Sequence, residues 1–320
     1  MTDLLARFAE CAFWMGRYME RAENLARVID VNESFARDSR GPADWLPIVE
    51  INADTQRFFE KHDEATAEAV VAFYVRDGDN PTSIVSAVRA ARDNARMLRH
   101  LISTELWSHL NVFHNELGRL GPADLRLGRL SRLCMTIKEH CQTHTGIAEG
   151  TLYRDQAWTF HEIGKQLERA DQTTRLLDIK YHRLLPASEA VGSSIDAGQW
   201  NALLRSAAGY HAFRRAYPRG MRPATVAGFL LFDRGFPRSV AVCVSQAAAG
   251  LGQLSTVHGL ARADAVAEGV RAWRDDLAAG EIDAVIEGGL HEYLDSIQRR
   301  LIEITSDTRA RFFGYEEAGA

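Results

Sequence analysis

The chain has 320 residues, 46% apolar and 25% charged, with a formal net charge of −5. That length can bury a large core, in two domains or one large duplicated unit, and the mildly acidic balance gives no support to a nucleic-acid partner. No stretch reaches the ~20 apolar residues that cross a bilayer, and the first ten residues carry charges inside their apolar run rather than a signal-peptide core, so a soluble cytoplasmic protein is expected.

In chain order, helices are predicted over 3–38, 45–60, 64–76, 81–117, 122–148, 150–184, 197–216, 222–232, 237–257, 260–279 and 282–313. Phe8, Cys11, Met15, Met19, Ala22, Ala26 and Ile29 set the helical period of the first; Leu167, Ala170, Thr174, Leu177 and Tyr181 set that of the sixth. Pro42, Pro47, Pro81, Pro122, Pro186, Pro218, Pro223 and Pro237 all fall at helix starts or connections. Gly288-Gly289 is the weak point that kinks or divides the last helix. No run of alternating β-branched residues competes, so the fold class is all-α, a helical bundle. Cys11, Cys134, Cys141 and Cys243 form no C-x-x-C pair and sit among helix formers, which reads as buried free thiols.

The bundle says one thing twice. Gly16-Arg17-Tyr18-Met19-Glu20-Arg21-Ala22-Glu23-Asn24 returns as Gly164-Lys165-Gln166-Leu167-Glu168-Arg169-Ala170-Asp171-Gln172. Trp45, Phe58, Phe73, Asp77, Pro81 and Ser83 then return in order as Trp200, Phe213, Phe229, Asp233, Pro237 and Ser239. The reading is a tandem duplication, 1–148 and 149–320, as two pseudo-symmetric repeats of one compact unit. The extra residues of the second copy fall in the Pro186-Ala-Ser-Glu-Ala-Val-Gly-Ser-Ser segment, whose composition is that of a loop.

On a helix, Gly16, Glu20 and Glu23 or Asn24 share a face, as do Gly164, Glu168 and Asp171 or Gln172. A glycine admits another backbone, and a carboxylate one turn on is removed from free solvent. If the two helices cross about a pseudo-twofold axis, Glu20 pairs with Arg169 while Glu168 pairs with Arg21, an architectural lock. The functional alternative makes Arg21 and Arg169 the grip on an anionic group and Glu20 or Glu168 a general base, which requires a raised carboxyl pKa. Glu20, Glu23, Glu168 and Asp171 could instead face inward around metal, but the Glu-x-x-His pairs of dimetal bundles are missing, and His140 and His144 are more simply structural; no metal or cofactor is expected.

The other repeated element is a helix start. Asn80-Pro81-Thr82-Ser83-Ile84 reads as Asn80 capping a helix with proline at its first position, repeated with a poorer cap at Phe236-Pro237-Arg238-Ser239. Ordinary capping is the simpler role; an anion site there would use Ser83 with Arg89, Arg92 or Arg238. The polar block Ala91-Arg92-Asp93-Asn94-Ala95-Arg96 becomes apolar in the second copy, so only the first can place Arg92 and Asn94 at a site. Arg214, Arg215, Arg219, Arg222 and Arg238 make a basic run that reads as a solvated face, and Trp107 is expected in the core.

Phe13-Trp14-Met15-Gly16-Arg17-Tyr18-Met19-Glu20-Arg21-Ala22-Glu23-Asn24, the Asn80–Ile84 start, the Ala91–Arg96 block and Leu167-Glu168-Arg169-Ala170-Asp171 together resemble the bacterial alpha-E family across essentially the whole chain. The resemblance implies an all-helical domain named for its Glu-Arg motif, encoded beside or fused to a circularly permuted ATP-grasp protein, often with a transglutaminase-like protease. It therefore implies service to a peptide or amide ligation system. This chain has no Gly-rich phosphate loop and no Cys/His/Asp protease signature, so nucleotide chemistry would belong to a partner. An accessory or binding subunit is the expectation. The alternatives are an enzyme acting on an amide, acyl phosphate or peptide-like intermediate at the Glu-Arg helices, and a purely structural scaffold.

Overall fold

A computed structural model describes residues 4–38, 44–184, 194–218 and 220–314. Pro42, most of the Pro186 loop and Arg219 lie outside the described residues, as does the side chain of Tyr181. Among the described residues every regular element is helical. In chain order these are α1 (Ala6–Asp38), α2 (Leu46–Ile51), α3 (Thr55–Phe59), α4 (Ala67–Val75), α5 (Ile84–Met97), α6 (Thr104–Gly118), α7 (Leu127–Thr151), α8 (Gln156–Leu184) and α9 (Ser194–Ser206). There follow α10 (Tyr210–Ala216), α11 (Pro223–Phe232), α12 (Val240–Thr256), α13 (Asp264–Ala278), α14 (Ile282–Gly288) and α15 (Leu290–Thr308), with a 3-10 turn at Ala261–Ala263 and a π turn at Arg309–Phe313.

Four predicted helices are divided, each for a local reason. The 45–60 and 197–216 segments break where Ala53 and Ala208 adopt positive φ, 55° and 58°, a conformation that nothing in an alanine announces. The 81–117 segment turns back at Leu98, and Ser103 then caps α6 by accepting from the Leu106 N–H at 3.1 Å. Gly289, at φ 99°, separates α14 from α15 at the expected Gly288-Gly289 point.

The two longest helices, α1 and α8, lie against each other at the centre. Their contact is backbone on backbone: a Cβ on Gly16 would collide with the His161 carbonyl oxygen, and one on Gly164 with that of Phe13. Around α1 pack α5 and α7, with α6 outside them; around α8 pack α12 and α15, with α13 outside α12. Trp45, Trp200, Phe58, Phe213, Phe73 and Phe229 are all buried in one continuous core, as are the four cysteines, which are free thiols. Trp107 departs from expectation: it is half-buried, with Arg99 5.0 Å and Arg92 5.6 Å from its ring. Its indole covers core while its face holds cations.

Candidate functional site

Glu20 and Glu168 follow the glycine contact by one helical turn, so the close approach of α1 and α8 takes both carboxylates out of water. Glu20 is 3% exposed and Glu168 is 0%. A buried carboxylate without a partner is costly, and each finds its partner on the opposite helix. Arg169 donates Nε and Nη2 to Glu20 at 3.0 and 2.7 Å. Arg21 donates Nε and Nη2 to Glu168 at 2.6 and 3.0 Å. Both reciprocal pairs expected of crossing Glu-Arg helices are present, in the two-pronged geometry that guanidinium and carboxylate share. One turn further on, Asn24 Nδ2 donates to Gln172 Oε1 at 2.8 Å, and Gln172 Nε2 donates to Glu168 at 3.2 Å.

Each carboxylate also receives a second arginine that the repeated motif does not announce. Arg17 Nε donates to Glu168 at 2.7 Å and Arg17 Nη1 to Thr305 Oγ1 on α15 at 3.1 Å. Arg238, at the start of α12, donates Nη1 to Glu20 at 2.5 Å and lies 3.3 Å from Glu23. The sequence signal for Arg17 is its position one turn before Arg21; Arg238, by contrast, reads in sequence as part of the basic run or as a helix-start anion ligand. It is instead inserted, and its carbonyl accepts from Thr173 Oγ1 on α8 at 3.0 Å.

Burial raises the Glu20 carboxyl pKa, but the Arg238 and Arg169 guanidiniums outweigh it and hold it down to about 2. For Glu168, burial is likewise overcome by Arg21 and Arg17, and its pKa lies well below the usual carboxylate range. Arg21 and Arg169 are pushed up in turn by Glu168 and Glu20, against the opposing effect of burial. A general base needs a carboxyl raised toward the working pH. Both glutamates are shifted the other way, and all four arginines already face carboxylates. The thiols nearby offer no nucleophile: burial pushes Cys243 up to about 12 and Cys141 well above its ordinary value.

The remaining candidates are occupied elsewhere. Glu23 accepts from Arg27 and Asp171 accepts from Arg175 Nε at 2.9 Å, each one turn along its own helix. Among the described residues no three His, Cys, Asp or Glu side chains are grouped to hold a metal. His140 contacts Glu116 at 2.8 Å, and buried His144 faces His161 at 3.4 Å. At the helix starts the cap is the serine rather than Asn80 or Phe236. Ser83 Oγ accepts from the Ser86 N–H at 3.2 Å and donates to the Asp77 carbonyl at 2.7 Å. Ser239 Oγ does the same with Val242 at 3.2 Å and Asp233 at 2.6 Å. Ser83 is thus consumed by capping. Arg92 Nε donates to Asn111 at 2.8 Å, and Asn94 is half-buried on the same helix; neither is linked to Ser83 by a hydrogen bond among the described residues.

Fold and site define an all-helical domain organised on two buried Glu-Arg helices. The chain belongs to the Alpha-E family, described as a predicted alpha-helical domain with a conserved ER motif, which matches residues 4–313. It is similar to an uncharacterized protein of Mycobacterium bovis and to one of Mycobacterium tuberculosis, each 24% identical over 273 residues. That alignment takes in 78% of this chain and 30% of either relative, so the chain spans about a third of their length. No solved structure matches. No helix is long and apolar enough to cross a membrane among the described residues.

Proposed function

We propose that the protein is a non-catalytic accessory or binding subunit in which the Glu-Arg motif is a structural lock. The observation that supports this most directly is the state of Glu20 and Glu168: both buried, both held ionised, each satisfied by two arginines. In such a cluster both carboxylates are engaged by arginine, and neither has the raised pKa that proton abstraction demands. The independent-enzyme reading at these helices is correspondingly weak.

The partner we infer is a circularly permuted ATP-grasp protein, with a transglutaminase-like protease as a further associate, in a cytoplasmic peptide or amide ligation system. The family resemblance motivates that partner, and the greater length of the mycobacterial relatives is compatible with this domain working beside others. We also read the chain as two tandem repeats, 1–148 and 149–320. The reciprocal Glu-Arg pairs and the matched serine caps at Ser83 and Ser239 support that reading.

Affinity purification of the tagged protein from its native host at low salt, with mass spectrometry of the eluate, tests the assignment. Near-stoichiometric recovery of an ATP-grasp protein is the expected outcome. Recovery of the chain alone, together with amide-bond chemistry by the purified protein that Glu20→Gln abolishes without changing its melting temperature, would replace the accessory reading with the catalytic one.

A further inference from the structure

The Glu-Arg helices are filled, but a cleft of about 700 Å³ opens elsewhere, between α4 and the segment that leads into α7. That volume is in the range of small-molecule sites. None of its lining residues belongs to α1 or α8.

Its chemistry is divided. The apolar part comes from Phe73 and Ala72 on α4 and from Pro122 and Leu125 opposite. Three cations line it, Lys61, Arg76 and Arg126. Lys61 is already neutralised, with its Nζ 3.1 Å from Asp77 and 3.5 Å from Asp79. Arg76 and Arg126 are exposed and have no carboxylate partner among the described residues. The remaining acid, Glu68, stands eight residues before Arg76 on α4, which is about 12 Å along the helix axis. The cleft therefore combines apolar lining with two arginines whose charge no carboxylate pairs among the described residues.

The second half of the chain shows what this face looks like when it is merely covered. The helix α11 and the turn after it carry Phe229 and Asp233 as α4 and its turn carry Phe73 and Asp77. The residue just before the aspartate is Phe232 there and Arg76 here. Phe232 lies so close over Gly280 that no Cβ fits beneath its ring, and Ile282 of α14 sits within 3.3 Å of where a Cβ on Gly228 would be. In that half, chain fills the face. On α4 the corresponding face is left open, and an arginine stands where the covering aromatic would be.

We propose that this cleft is a binding site for a small amphipathic oxyanion, with Arg76 and Arg126 gripping the charged group and Ala72, Pro122 and Leu125 taking the apolar body. Guanidinium forks recognise carboxylate and phosphate alike, so either can supply the anionic group. The site goes beyond the accessory-subunit reading and does not depend on it.

The full chain is titrated calorimetrically with benzoate and with phenyl phosphate at constant ionic strength, alongside the Arg76→Gln/Arg126→Gln double variant and the control Arg215→Gln, an exposed residue of α10 outside the cleft. Saturable one-to-one binding of at least one probe is expected, weakened at least about tenfold by the double variant and unchanged by the control. Binding of phenyl phosphate alone identifies a phosphate ligand, and binding of benzoate alone a carboxylate. Both replaced arginines are exposed, so the double variant is expected to keep the parent helical circular dichroism. No saturable binding of either probe to the parent chain, or equal binding by the double variant, overturns the proposal. Either result leaves the purification experiment on partners unaffected.

Discussion

Glu20 and Glu168 occupy the same place in the same motif, yet different parts of the chain neutralise them. Glu168 takes both of its arginines, Arg17 and Arg21, from α1, so all of its neutralising charge comes from one helix, and only a neutral contact, Arg17 to Thr305, carries its cluster on to α15. Glu20 takes Arg169 from α8 and Arg238 from the start of α12, so its cluster ties three segments together. The difference traces to two positions. Lys165 stands where Arg17 stands in the first motif, and it turns to Glu162 at 2.6 Å rather than across to Glu20. Arg238 stands where Thr82 stands in the first helix start, and Thr82 hydrogen-bonds Asp54 instead. A buried carboxylate fixes how much positive charge must arrive; it leaves open which segment delivers it.

The largest effect is expected from Glu168→Gln, which removes the only ion-pair partner that Arg17 and Arg21 have among the described residues. Removing one member of a buried pair commonly costs about 3–5 kcal/mol, and urea unfolding measures it. Glu20→Gln should cost less, because Arg238 retains Glu23 at 3.3 Å. Equal losses, or losses near zero with function gone, would break both the comparison and the structural-lock reading.

Next comes Gly164→Ala. The added methyl group meets the Phe13 carbonyl, which is backbone and cannot rotate aside. A loss of about 3 kcal/mol is expected, the upper part of the overpacking range, with both carboxylate clusters loosened because α1 and α8 are forced apart.

Arg238→Gln and Arg17→Gln separate the clusters more finely. Each removes charge-assisted hydrogen bonds worth about 1.5–3 kcal/mol. Only Arg238→Gln should speed amide hydrogen exchange along α12, since Arg238 holds the first turn of that helix to α1. Equal exchange in α12 for the two variants would show that Glu20 does not anchor it.

Acid titration reads the same clusters with a definite sign. Glu20 titrates at about 2 when folded, against an ordinary value of 4.5, so the unfolded chain binds the proton first. Its contribution is complete above pH 4.5 and is lost as pH falls toward about 2. His144 acts earlier in the titration. Burial, with His161, His109 and Lys165 nearby, holds its pKa well below 6.5, so stability begins to fall as pH drops through 6.5. His144→Leu should flatten the upper limb of the stability profile and leave the lower one; a curve unchanged above about pH 5 would place the acid response elsewhere.

The bundle and its central pair were legible because they rest on period and on repetition. A 3.6-residue spacing of apolar groups and a glycine placed one turn before each glutamate determine which faces meet. The breaks at Ala53 and Ala208 were not legible, since alanine is the strongest helix former and carries no signal for the positive φ that both adopt. Arg238 was hidden for a related reason. Whether an arginine in a basic run faces water or a buried glutamate is decided by the path of the chain after Asp233, which local sequence does not encode. The Ser83 and Ser239 caps are hidden in sequence because a proline there looks like a first helical residue, whereas Pro81 and Pro237 both lie in the turn before the cap.

The smallest expected effect turns on glycine alone. Gly146 lies within α7, is exposed, and has nothing within 4 Å of where a Cβ would go. Glycine in a helix interior forfeits about 0.5–1 kcal/mol relative to alanine through the freedom it loses on folding, so Gly146→Ala should stabilise by that amount. Gly16→Ala makes the same chemical change on another long helix and receives the same entropic benefit, but its methyl group meets the His161 carbonyl. The two substitutions should therefore move the denaturation midpoint in opposite directions. Measured together, they subtract helix propensity from the result and leave the cost of separating α1 from α8; equal stabilisation by both would mean that the helices can part without loss.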